Sequence, residues 1–155
     1  MARYDELYQE VILTHNNNPR NFLKIPDANR VADGYNPLCG DQVTIYLRIE
    51  NGVICDVGFQ GSGCAISRAS ASLMTQSVKG KNVEAAQKIF ESFHRMVTTG
   101  EEISISDDDL GDLEALSGVS KFPTRVKCAS LSWHTFRAAL VQKESTTSTE
   151  KPSVT

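Results

Sequence analysis

Three cysteines and one aspartate have the residue types and placing for site chemistry. Cys39 and Asp41 lie in "NPLCGD", residues 36 to 41, Cys64 ends "GSGC", residues 61 to 64, and Cys128 ends "RVKC", residues 125 to 128. Thiolates with a carboxylate are the donor types of a tetrahedral Zn²⁺ centre. The same thiols could ligate iron in a [2Fe–2S] cluster. The opening "MARYDELYQE" is charged and polar, so no secretory signal is expected and the four cysteines should be reduced thiols in a cytoplasm. Metal binding or thiol chemistry, rather than disulfide bonding, is therefore the question.

The elements between these residues must bring them together. Val43, Ile45, Leu47 and Ile49 alternate with polar residues, as do Val53, Cys55, Val57 and Phe59, and Asn51-Gly52 separates the two runs. This predicts a β-hairpin. A two-residue loop would set Leu47 against Asp56 and put an acid on the apolar face. A three-residue loop, Glu50 to Gly52, pairs Ile49 with Val53, Leu47 with Cys55, Ile45 with Val57 and Val43 with Phe59. The second register is preferred, with Gly52 in a left-handed bulge position. Cys39 precedes the hairpin and Cys64 follows it, so both should reach the same end of the sheet, with Asp41 beside them. Cys55, mid-strand on the apolar face, reads as a core thiol. That leaves Cys128 as the remaining ligand candidate. Spacing alone does not bring Cys128 near, and three unrelated buried thiols are the alternative.

Around the hairpin the pattern is helical. Residues 3 to 14 carry one apolar face, through Tyr4, Leu7, Tyr8, Val11 and Ile12. Asparagines and Pro19 stop that helix. A loop or short strand is expected over 30 to 40. A second helix runs from Cys64 to Gly80, and a third from the N-cap Asn82 to Gly100. The last opens at Phe122-Pro123 and continues through Trp133 and Leu140. The fold class expected is α+β: a small antiparallel sheet of about three strands packed against several helices. One domain is expected over 1–142, and a polar tail over 143–155 is expected to be disordered.

Composition narrows the function classes. Of 155 residues 23% are charged, net charge is −3, and basic residues do not cluster, so no nucleic acid partner is expected. No apolar run approaches the ~18 residues of a membrane span. Residues 101–118 hold seven acids and no Lys or Arg, which leaves the remainder at about +4. "DLEAL" within it could form one helical turn, and the segment as a whole reads either as a solvated loop or as a partner-facing surface.

"HNNNPRNF" at 15–22, "NPLCGD" at 36–41, "GSGCAIS" at 61–67 and "RVKCASLSW" at 125–133 together resemble the IscU/NifU-N family of iron–sulfur cluster assembly proteins. The resemblance spans roughly residues 4–141. The acidic insertion at about 101–118 and Lys127, where the IscU branch has a histidine, are similar to the SufU branch. That resemblance implies Zn²⁺ held by Cys39, Asp41, Cys64 and Cys128. It implies sulfur received from a SufS-type cysteine desulfurase, with Cys39 as persulfide acceptor and Asp41 tuning ligand exchange. Downstream SUF scaffold components would be further partners, and the setting is cytoplasmic. The alternative function is a scaffold that assembles and transfers a transient [2Fe–2S] cluster. Arg125 is read as an ion partner for a site thiolate. Lys127 is either a site residue or a solvated charge. His15 is expected to support the loop after the first helix. His94 and His134 are expected at helix surfaces or boundaries, outside the site.

Overall fold

The computed structural model describes residues 2–37, 40–100, 108–141 and 144–148. In chain order the elements are α1 (Ala2–Asn17), β1 (Arg30–Asn36), β2 (Asp41–Glu50), β3 (Val53–Ser62), α2 (Ala65–Val78) and α3 (Val83–Thr99). A run of tight 3₁₀ turns (Asp108–Lys121), α4 (Pro123–Val141) and β4 (Glu144–Ser148) follow. The sheet order is β3-β2-β1-β4, with β1, β2 and β3 antiparallel. Helices α2 and α4 cover one face, and α1, α3 and the 3₁₀ segment pack around them.

Strand parity decides what faces the helices. Asp41, Val43, Ile45 and Leu47 share the inner face of β2, and all four are buried. Val57 and Phe59 join them from β3. The outer face is polar: the Thr44 hydroxyl donates to Asp33 at 2.6 Å, and Tyr46 lies 2.9 Å from Gln60. Trp133 of α4 stacks on Phe93 of α3 at 4.2 Å between ring centroids, which ties the outer helix to the core.

The hairpin register differs from the sequence expectation. The loop is the two-residue Asn51-Gly52, both left-handed (φ 54° and 76°), as a type I′ turn requires. Glu50 faces Val53 and Ile49 faces Ile54, but the ladder then shifts, so that Arg48 faces Asp56, Leu47 faces Val57 and Ile45 faces Phe59. The bulge leaves Cys55 as the extra residue. It keeps Asp56 off the apolar face, the difficulty that disfavoured the shorter loop, by inserting a residue rather than lengthening the turn. The tip is held by the α2–α3 connection: Ile54 N–H donates to Lys81 O at 2.9 Å and Gly80 N–H to Ile54 O at 2.8 Å. Ile54 is thereby fully buried, while Val53 is exposed and Cys55 only half-buried. Cys55 is not a core thiol.

Two further segments carry regular structure. The acidic segment is partly a structural element. Residues 101–107 lie outside the described residues, but beyond them Leu113, Ala115, Leu116 and Val119 are buried against the helices. The tail is also not wholly without structure. Glu144–Ser148 runs parallel to β1, with Val31 beside Glu144 and Tyr35 beside Ser148. An edge strand offers unpaired backbone groups, and a Ser/Thr-rich segment can join it without contributing an apolar face. Residues 142–143 and 149–155 lie outside the described residues.

Candidate metal centre

Each site residue is placed by a different element. Asp41 opens β2 opposite Asn36, and the inward parity of β2 buries its carboxylate completely. In the sequence, residue 39 falls between these two strands. It lies outside the described residues, two positions from Asp41; Gly40 N–H donates to Asn36 O at 2.8 Å. On the neighbouring strand Gln42 faces Ser62, so the chain leaving β3 passes directly beside Asp41.

Cys64 is the N-cap of α2. Its backbone is extended (φ −71°, ψ 169°), and its sulfur accepts the Ser67 N–H at 3.4 Å. This is the position at which unpaired helix amides and the helix dipole favour a thiolate. The Cys64 N–H in turn donates to Asp41 Oδ1 at 2.9 Å, and the thiol lies 3.9 Å from Asp41 Oδ2. Gly63 makes this approach sterically feasible. A Cβ there would overlap Asp41 Oδ1 and lie 3.0 Å from Asp41 Cγ.

Cys128 comes from α4, and two contacts bring it in. A Cβ on Gly34 of β1 would overlap Thr135 Oγ1, so the bare glycine lets α4 settle onto the sheet. Thr135 and Cys128 are seven residues apart, two turns on one helix face, which carries Cys128 about 10 Å along the axis toward the Asp41 end. Ser70 then joins the two cysteine-bearing helices. Its hydroxyl donates to Ala129 O at 2.5 Å and accepts the Trp133 indole N–H at 3.1 Å.

The result is a convergent donor set. One ligand atom each from Asp41, Cys64 and Cys128 lies within 4.8 Å of the others. Asp41 and Cys128 are buried and Cys64 is exposed, so the centre opens toward solvent on the Cys64 side. Two thiols and one carboxylate oxygen at this spacing fit three corners of a tetrahedral zinc site. Among the described residues it is the group of three or more His, Cys, Asp or Glu side chains that could hold a metal ion.

A family model described as the NifU-like N terminal domain matches residues 7–129. The chain belongs to the NifU-like N-terminal domain family. It is 45% identical over 143 residues to the Bacillus subtilis protein named zinc-dependent sulfurtransferase SufU, covering 92% of this chain and 95% of that one. It is 38% identical over 134 residues to the Thermotoga maritima iron–sulfur cluster assembly scaffold protein IscU, covering 86% and 92%. Among solved structures, a candidate iron–sulfur cluster assembly scaffold of the SUF system from Fervidobacterium islandicum AW-1 superposes with a TM-score of 0.78. It is 35% identical, over 87% of this chain and 97% of that one.

In this NifU-like domain the remaining candidates sit as follows. Arg125 is exposed, one turn before Cys128, with its guanidinium 5.1 Å from the Phe122 ring centroid; Lys127 is half-buried. His15 is buried, its Nδ1 2.7 Å from Ser72 Oγ, and that oxygen also accepts the Arg20 N–H at 2.7 Å. It therefore braces the loop after α1, as expected. His94 and His134 pair at 5.5 Å between ring centroids on α3 and α4, at a helix boundary apart from the donor set. Burial, then the neighbouring His94 and Arg137, lowers the pKa of His134 to about 4. Sequence reasoning did not anticipate the Cys64 amide on Asp41 or the Ser70 bridge. The one available signal was a glycine directly before an N-cap cysteine. Beside the site, Gln42, Phe59, Ser62, Ser67 and Arg68 line a shallow cleft. No helix among the described residues is long and apolar enough to cross a membrane.

Proposed function

We propose that this chain is a zinc-dependent sulfurtransferase of iron–sulfur cluster assembly that accepts persulfide sulfur from a SufS-type cysteine desulfurase. The observation that carries the reading is the convergence of Asp41, Cys64 and Cys128 within 4.8 Å, at the sheet end where β1 gives way to β2. The identity to the B. subtilis sulfurtransferase supports it. The reading places the chain in the cytoplasm, with downstream SUF scaffold components as further partners.

Cys39, Asp41, Cys64 and Cys128 would hold the zinc. Bound there, zinc would keep the coordinated thiols deprotonated at neutral pH. Cys39 is the sulfur acceptor. Its thiolate attacks the terminal sulfur of the desulfurase persulfide, a new S–S bond forms on Cys39, and the donor S–S bond breaks to release the desulfurase cysteine as thiolate. Sulfur moves with no net oxidation or reduction. Asp41, gripped by the Cys64 amide, would supply one carboxylate oxygen, a harder donor than sulfur and so the more exchangeable ligand. The α2 N-terminus favours the Cys64 thiolate through the Ser67 amide. Arg125, one turn before Cys128, is placed by this reading as the cation facing a site thiolate.

Metal analysis together with a desulfurase assay tests the proposal. The purified chain should hold about one zinc and raise cysteine-dependent turnover of a SufS-type desulfurase, and Cys39→Ala should abolish the increase. No stimulation of any such desulfurase defeats the reading. The scaffold-named relatives favour a second one, in which the same thiols carry a [2Fe–2S] cluster as cargo. Intact transfer of a cluster from zinc-free protein to an apo acceptor would favour that alternative.

A further inference from the structure

We infer that Gly63 is a positioning residue that limits Asp41 to a single donor oxygen and so selects for a four-coordinate metal. The inference rests on the zinc reading above and adds what sets the coordination number. The Asp41 carboxylate is fully buried, and its two oxygens have different neighbours. Oδ1 accepts the Cys64 N–H at 2.9 Å, whereas Oδ2 faces the Cys64 sulfur at 3.9 Å. A carboxylate with one oxygen committed to a backbone amide presents the other to a metal in monodentate fashion. The two thiols of Cys64 and Cys128 and one oxygen fill three corners of a tetrahedral set, which with the Cys39 thiolate of the proposed function would suit Zn²⁺. Ions that prefer six oxygen-rich ligands gain from bidentate carboxylates and would be disfavoured.

The clamp depends on the absence of a side chain at 63. An added Cβ would overlap Oδ1 and lie 3.0 Å from Cγ and 3.1 Å from Cβ of Asp41. The obstacle is the whole carboxylate-bearing side chain rather than one flexible tip, and that side chain is fully buried. Gly63 shows no left-handed φ, unlike Gly40, Gly52, Gly61, Gly80 and Gly100. Its requirement is therefore close approach, not backbone conformation. An alanine would force the carboxylate away from the Cys64 amide. Asp41 would then lose its donor position or turn both oxygens toward the metal.

The test is Gly63→Ala in the full chain, in wild-type and Asp41→Ala backgrounds. Zn²⁺ affinity is measured by chelator competition, and the visible spectrum of the Co²⁺-loaded protein reports coordination geometry. In the wild-type background, Gly63→Ala should lower zinc affinity tenfold or more and weaken the intense bands of tetrahedral Co²⁺. In the Asp41→Ala background it should change neither by more than about twofold, because Oδ1 and Cγ are gone and only the milder Cβ contact at 3.1 Å remains. Unchanged affinity and spectrum in the wild-type background overturn the inference. So does an equal loss in both backgrounds, which would mark a backbone effect. Should Gly63→Ala not fold alone, the inference requires Asp41→Ala to restore folding, and failure of that rescue overturns it. A wild-type chain that binds no zinc instead removes the functional reading on which the inference stands.

Discussion

The backbone N–H of Cys64 donates to Oδ1 of Asp41 at 2.9 Å, joining the start of β2 to the start of α2 within the donor set. The contact separates two roles of one carboxylate. Oδ1 satisfies a helix N-terminal amide, and Oδ2 is left for the proposed metal.

Asp41→Asn separates these roles experimentally. Asn retains an acceptor oxygen for the Cys64 amide but lacks the negative charge and the second acceptor oxygen. Metal-free stability should stay within about 1 kcal/mol of wild type, since the hydrogen bond can be kept. Zinc affinity by chelator competition should fall tenfold or more. Unchanged affinity would remove Asp41 from the ligand set.

The helix-to-helix link makes a second prediction. Ser70 accepts from the buried Trp133 indole and donates to Ala129 O, one residue from Cys128. Ser70→Ala leaves two buried polar groups without this partner, a loss of about 1–3 kcal/mol. Urea unfolding followed by the emission of Trp133, the chain's single tryptophan, reads it directly. Because the link joins the helices of Cys64 and Cys128, zinc affinity should fall with stability. A neutral result would mean that α2 and α4 are aligned by apolar packing alone.

How far the sequence carried depends on the range of the force involved. The inward set Asp41, Val43, Ile45 and Leu47 follows from strand alternation, and the Cys64 N-cap and Asn82 N-cap follow from local rules. The hairpin tip did not, because its inward residue is chosen by a tertiary contact. Backbone bonds from Gly80 and to Lys81 pull Ile54 inward, and the bulge at Cys55 restores the register beyond. The approach of Cys128 was likewise hidden. It depends on Gly34 meeting Thr135 and on Ser70 meeting Trp133, pairs far apart in sequence. Strand β4 has no apolar periodicity to reveal it, since its pairing is with the β1 backbone.

The bulge makes Cys55 a useful control. Its sulfur lies 3.6 Å from Val53 O and 3.9 Å from Glu50 Oε2, at the far end of the hairpin from the metal centre. Cys55→Ser should change stability by no more than about 0.5 kcal/mol and leave zinc content intact. In the zinc-loaded protein, Cys55 should react readily with a thiol reagent. A loss above about 1.5 kcal/mol would return Cys55 to the core.

The last prediction concerns acid. His134 packs against Phe90 and His94, with ring centroids 5.6 and 5.5 Å away, and the Arg137 guanidinium lies over Phe90. Burial first, then the charges of His94 and Arg137, lowers its pKa from 6.5 to about 4. The folded state therefore keeps His134 neutral where the unfolded chain binds a proton. Its share of stability is fully present above pH 6.5 and is lost as pH falls toward 4, where the folded state protonates as well. The loss across that window is on the order of 2–3 kcal/mol. Urea midpoints measured from pH 7.5 to 4, with chelator present so that metal release does not intrude, should fall through this range. His134→Gln, which carries no titrating group, should flatten the fall relative to wild type. Equal slopes in the two proteins would show that the α3–α4 seam accepts a charged imidazole, and that acid sensitivity arises elsewhere.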